Sequence, residues 1–217
     1  NEITAGISYQ TQISKYLTSS FSPFTLSVIR SANSDFSDDL IQKILNNKSL
    51  FKNLIKDEFV PSMQYSISYN NSSDRSRSVS TRLDATIKES GNLIGGIQAL
   101  CGMDFNQKGK KFVFDNYSQF LEFNIELRNR FKLTEKTSLA TRMLLGSVIS
   151  YGNSFSAPLS EAFYSGGPNS IRAFPSRSLG PGNYRSTNKG DDPYFFHGGE
   201  TRMEINAEYR FPLVWML

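Results

Sequence analysis

The chain has 217 residues, a formal charge of +4, 38% hydrophobic and 13% aromatic residues, and one each of Cys and His. A single cysteine excludes an internal disulfide, Cys101 with His197 is too sparse for a metal cage, and charges of mixed sign leave no basic stripe for nucleic acid. No run of about 18 apolar residues provides a membrane-spanning helix, but a mean hydropathy of −0.38 leaves a membrane β-barrel open, because half of such a wall faces water.

The length allows one large domain or two small ones. Segment 2–14 alternates, with Ile3, Ala5, Ile7, Tyr9 and Ile13 against Glu2, Thr4, Ser8, Gln10 and Gln12. Successive strand side chains point to opposite faces, so this pattern predicts a strand with one greasy and one polar face. A break at 18–22 leads to a weaker strand expected near 23–31. Segment 35–58 changes period. Leu40, Ile41, Ile44 and Leu45, then Leu50, Phe51, Leu54 and Ile55, recur at three- and four-residue spacing, which predicts two short helices capping the barrel mouth.

Alternation returns at 59–70 (Met63, Tyr65, Ile67, Tyr69) and, after the polar turn NNSSDRSR, at 78–89 (Val79, Leu83, Ala85, Ile87). Segment 90–116 reads as a long loop with one helical turn over Leu93, Ile94, Ile97 and Leu100, then a solvated basic tip, QKGKK. Segment 117–132 sets Leu121, Phe123, Ile125, Leu127 and Phe131 against Glu122, Asn124, Glu126, Arg128 and Arg130. The tight turn LTEKTS joins it to 137–151, where Leu139, Met143, Leu145, Ile149 and Tyr151 oppose Ala140, Arg142, Gly146 and Ser150. A long loop, 152–198, follows. In the last strand Glu200, Arg202, Glu204, Asn206, Glu208 and Arg210 take the even positions, and Met203, Ile205, Ala207, Tyr209, Phe211 and Leu213 the odd ones.

Short connections near 18–22, 71–77 and 133–137 alternate with long ones near 31–58, 90–116 and 152–198. Transmembrane barrels have short turns on one side of the membrane and long loops on the other, and strands of about ten residues. An all-β, antiparallel transmembrane barrel is therefore expected, with 1–217 as one partial barrel domain of about seven strands. Seven strands leave two unpaired edges, which lipid does not tolerate, so the remaining wall is expected from residues outside this chain. The ends, NEITAGISYQ without a leader-like pattern and FPLVWML, read as cuts through a larger protein.

The loop and last strand carry a recognisable pattern: GGPNSIRAF, then SLGPG, a second Gly-Gly, and NAEYRFPL. This resembles the barrel of the BamA/TamA family, also called bacterial surface antigens, and most of all its TamL-type members. SLATRMLLGSVISYGNS and FVPSMQYSISY add to the likeness, which spans most of the chain and is strongest from 137 onward. Gly166 and Gly167 match the family's Gly-Gly, Gly180 and Pro181 its Gly-Pro, and Ile171, Arg172, Ala173 and Phe174 its arginine tetrad. Ala173 stands where the family keeps glycine, a residue favoured where φ is positive, so the departure bears on the backbone of the loop tip.

The resemblance implies a sixteen-stranded barrel in the outer membrane of a Gram-negative bacterium, of which this chain is a part. Loop 152–198 would tuck into the lumen and bring Arg172 to Glu208, beside Glu204 and Arg210 of the same inward row. The small residues Ala140, Gly146 and Ser150 would leave it room. The planar guanidinium fork matches a carboxylate, and inside the barrel the pair is expected to be partly desolvated. The implied function is protein insertion and assembly, with no cofactor or metal and no catalysis. Partners would be outer-membrane lipid, client outer-membrane proteins, POTRA domains and remaining strands of the same polypeptide, and accessory subunits, with no nucleic acid. A secretion pore of the same superfamily would share the loop arginine. A porin or an outer-membrane enzyme is a further alternative, but no G-x-S-x-G elbow or matched Ser–His–Asp spacing exists. Cys101 and His197 read as incidental loop residues.

Overall fold

The structure, a computed structural model, describes residues 2–29, 58–74, 77–112, 115–180, 182 and 198–213. Seven long strands follow the alternating segments: β1 (Glu2–Gln12), β2 (Leu17–Ile29), β3 (Glu58–Asn70), β4 (Val79–Ser90), β7 (Phe120–Lys132), β8 (Ser138–Ser150) and β9 (Thr201–Arg210). Each pairs antiparallel with its neighbour in the chain, giving one open sheet in the order β1-β2-β3-β4-β7-β8-β9. Between β4 and β7 lie helix α1 (Asn92–Leu100) and a two-stranded ribbon, β5 (Lys111–Phe112) with β6 (Asp115–Asn116). No described helix is long and apolar enough to cross a membrane.

The register keeps all apolar rows on one side. Tyr65, Ile87 and Phe123 are cross-strand neighbours, as are Leu145 with Met203 and Met143 with Ile205. This face is bare: Ile3 is 72% exposed and Ile205 67%. A continuous exposed apolar surface of this extent marks an interaction face and not ordinary scatter. The opposite face carries Asp84, Glu126, Arg128, Arg142 and Glu204, and the loop between β8 and β9 covers part of it. At its long-loop end a small apolar core of Val60, Phe120 and Val148 is closed by Phe163 and Ala157.

Two sequence expectations are corrected. The second strand does not begin at 23 after a break; it runs through 18–22, and the turn is at 13–16, where Ile13 N–H donates to the Leu17 carbonyl at 2.9 Å. The pairing shifts from Tyr9↔Phe21 to Ile7↔Phe24, so β2 has one extra residue between those pairs. That bulge, at Ser22–Pro23, inverts the alternation midway and hides the strand from a period-2 reading; proline suits it, lacking a donor. Segment 90–116 holds a nine-residue helix, α1, not one turn. The helical pattern 35–58 lies outside the described residues except for Glu58, which opens β3.

The short connections, 13–16, 71–78 and 133–137, are at one end of the sheet, and β2, β4 and β8 all finish at the other, where the chain leaves Ile29, Ser90 and Ser150 for its long connections. Asn71 fixes the second turn, accepting from Thr81 N–H at 2.5 Å through its side chain.

Candidate functional site

Rows of cross-strand neighbours define positions on the polar face. From the long-loop end, one row holds Gly146 beside Arg202, the next Glu126, Leu144 and Glu204, the next Arg128, Arg142 and Asn206, and the next Arg130, Ala140 and Glu208. The loop after β8 starts above all of them and descends. Phe163 forms an antiparallel bridge with Gly199, with reciprocal N–H···O bonds of 2.9 and 2.8 Å. Its ring lies on Gly146, where an added Cβ would fall 2.6 Å from two ring carbons. Ser170 Oγ donates to Glu204 Oε1 at 2.5 Å, and Arg142 Nη1 donates to the Asn169 carbonyl at 2.5 Å. Arg172 Nη2 donates to Glu208 Oε1 at 2.9 Å. From Gly146 to Ala140 the path covers six residues of β8, about 20 Å at the usual strand rise.

The loop tip is a set of tight turns. Gly167 N–H donates to the Phe174 carbonyl at 2.9 Å, and Phe174 N–H to the Ile171 carbonyl at 3.1 Å. Gly166 and Gly167 have φ of 100° and 93°, a region that side chains with a Cβ avoid. A Cβ on Gly166 would also collide with the Pro175 carbonyl. Ala173 has no positive φ; among described non-glycine residues only Arg177 does, at 63°. The alanine in the tetrad therefore leaves the turn unstrained, which corrects the expectation that it bears on the tip. Ile171 and Phe174 are half exposed. Gly180 follows Leu179, which bridges to Ser165; Pro181 and His197 lie outside the described residues.

Charge on this face is layered. Asp84, Glu126 and Glu204 form a carboxylate tier, and Arg82, Arg128 and Arg142 are one row closer to the short turns. Each arginine reaches back one tier: Arg82 to Asp84 at 2.7 Å, Arg128 to Glu126 at 2.8 Å, and Arg142 to Glu126 and, at 3.6 Å, Glu204. Arg202 approaches Glu204 from the other side at 2.7 Å. Like charges directly opposite on a sheet repel, and this offset pairing answers the repulsion. Below, Arg210 shares Glu208 with Arg172 at 2.9 Å. A concavity of about 650 Å³ opens here, lined by Arg82, Arg128, Arg130, Arg142, Arg172 and Arg210 among others.

In this open sheet the Arg172–Glu208 pair faces solvent. The arginine side chain is 73% exposed and the carboxylate 42%, because only loop and sheet flank them. The buried anchor is Glu204, 8% exposed. Sequence reading put Glu204 and Arg210 in the inward row but missed Ser170, Asn169 and Arg142 as the groups joining loop to sheet.

At the rim a second polar network binds the long-loop end. Asn153 N–H donates to Gln119 Oε1 at 2.8 Å, and Asn153 Nδ2 reaches the carbonyls of Lys110 and Tyr117, both at 2.8 Å. Tyr151 Oη donates to Asn92 Oδ1 and Tyr117 Oη to Gln98 Oε1, each at 3.0 Å. Burial pushes the Tyr117 phenol above its ordinary value of 10. Burial also raises Tyr151, with the Glu89 charge adding and the Asn92 hydrogen bond opposing.

These parts hold one long loop in position against the sheet. A bare apolar wall backs a stratified polar face, into which one long loop reaches from the far end. No curated protein matches the chain. The sequence model of the Omp85 superfamily domain matches residues 1–217, the whole chain. This chain belongs to the Omp85 superfamily, whose members are outer-membrane barrels of Gram-negative bacteria that insert or translocate proteins.

Proposed function

We propose that the chain is the barrel portion of an outer-membrane protein assembly factor of the BamA/TamA kind, nearest to TamL-type members. The apolar face meets acyl chains and the polar face lines the lumen. Loop 152–198 folds into that lumen, and Arg172 in the tetrad grips Glu208. The observation that carries the reading is the loop's descent of about 20 Å along β8 to an arginine–carboxylate contact of 2.9 Å. A loop with this many polar contacts belongs in a wet interior, since lipid offers no partners to irregular backbone.

In this reading the rest of the wall and periplasmic POTRA domains come from the same polypeptide, with client outer-membrane proteins and accessory subunits as partners. The decisive experiment uses the complete protein in proteoliposomes. Arg172→Ala is expected to slow insertion of client barrels while the protein still folds. An unchanged insertion rate removes the arginine from the mechanism. Export of a single partner protein, without insertion of several clients, would instead identify a secretion pore.

A further inference from the structure

Helix α1 is amphipathic in the reverse of the usual sense. Its polar and small residues face protein. Asn92 Oδ1 accepts from Tyr151 Oη at 3.0 Å and Gln119 Nε2 at 3.3 Å. Gln98 accepts from Tyr117 Oη at 3.0 Å and donates to the Lys111 carbonyl at 2.9 Å. Gly95 is buried against Gln119 and Phe105. The apolar residues point away. Leu93, Ile97 and Leu100, at helical spacing, are 59%, 62% and 91% exposed, and the helix NLIGGIQAL has no charged residue. A helix packed on a soluble protein turns its apolar stripe to the core; this one turns it outward.

Its position explains the reversal. Gln119 precedes Phe120 and Tyr151 follows Ser150, both polar-face residues, so the helix's anchors continue the outward phase of β7 and β8. A small recess beside α1 is lined by Phe24 and Pro61 together with Leu93 and Ile94. Phe24 and Pro61 belong to the apolar face through their pairings with Ile7 and Leu26. The exposed stripe of α1 is thus continuous with the wall assigned to lipid, at its long-loop end.

We propose that α1 is an interfacial anchor whose Leu93–Ile97–Leu100 stripe is sunk in the headgroup–acyl boundary of the leaflet on the long-loop side. Hydrogen bonds from its inner face to Gln119, Tyr117 and Tyr151 hold it parallel to the surface, as interfacial amphipathic helices lie. The inference rests on the apolar face meeting lipid and adds a contact outside the barrel wall.

The test needs no new residue in the helix. Cys101 is the chain's single cysteine, is exposed, and follows Ile97 by four residues on the same stripe. A spin label on it, in the complete protein with any cysteine outside residues 1–217 replaced by serine and reconstituted in phosphatidylethanolamine–phosphatidylglycerol vesicles, is expected to relax through lipid-dissolved oxygen more than through a water-soluble nickel chelate. A parallel label on Cys101→Ser with Ile125→Cys reports the middle of the apolar wall. Lipid exposure at Ile125 with aqueous exposure at Cys101 overturns the anchor and leaves the barrel standing. Aqueous exposure at both overturns the barrel reading as well. Shielding of Cys101 from both reagents means that protein covers the stripe, which also overturns the proposal. Leu93→Asn with Ile97→Asn is expected to move the Cys101 label into water; a signal that stays in lipid in that variant counts against it.

Discussion

Ser170 Oγ meets Glu204 Oε1 at 2.5 Å, four residues along β9 from the contact between Arg172 and Glu208. The two contacts divide the labour. Glu204 is buried and shared by Arg202, Arg142 and the loop, so it holds the loop in place. Glu208 is exposed and shared by Arg172 and Arg210, so it orients the tip and adds little to stability, as exposed ion pairs do.

Ser170→Ala is expected to weaken docking by about 1.5–3 kcal/mol, the range for a hydrogen bond to a charged group. Arg172→Ala is expected to change docking less. Hydrogen exchange over 163–174 checks the order: faster exchange in Ser170→Ala than in Arg172→Ala. The reverse order contradicts the division.

Gly146→Ala is expected to expel the Phe163 ring, because the new methyl would lie 2.6 Å from it. Overpacking of this kind costs about 1–3 kcal/mol. Combining it with Phe163→Leu should recover part of the loss. Tryptic release of the loop from folded protein is the readout, and equal sensitivity of single and double variants argues against the contact.

Gly166→Ala should destabilise the loop tip, since φ is 100° and the Pro175 carbonyl occupies the Cβ position. Ala173→Gly should cost only about 0.4–1 kcal/mol through unfolded-chain entropy, although it restores the family's residue. Exchange of the Phe174 amide neighbours ranks the two; a stabilising Ala173→Gly would show a strained tip.

The rim network has a pH limit. Tyr117 and Tyr151 both donate through their phenols, and both have raised values when folded. A raised folded value gives stability that is full below the unfolded value near 10 and is lost as pH rises through the folded one. Exchange protection of α1 should hold steady up to that point and fall beyond it. Loss at neutral pH would rule out the phenols.

Strand positions and their phase could be read from alternation wherever the register is unbroken, as in 117–132. β2 escaped because one extra residue at Ser22–Pro23 swaps its faces. α1 was underread because Gly95 and Gly96 depress helix propensity, and the reason for Gly95, close packing on Gln119 and Phe105, is tertiary. In the loop, Arg172 and Glu208 were named through a family resemblance. Ser170 and Asn169 look like ordinary turn residues in sequence, and only the fold brings them to Glu204 and Arg142.

The ion pairs described above occupy one half of the sheet. Arg142 of β8 ties β7 through Glu126 and β9 through Glu204, the loop adds its bond to Arg142, and the remaining Arg–carboxylate pairs brace β4, β7 and β9 along their own length, whereas the only charged residues of β1, β2 and β3 are Glu2 and Glu58, at strand ends. Cross-strand links there are hydroxyl contacts such as Thr4–Ser27 and Ser8–Ser20. Stiffness is therefore graded across the wall. A deforming load bends the serine-rich side first, with the Pro23 bulge as its crease, while the braced side moves as a single plate.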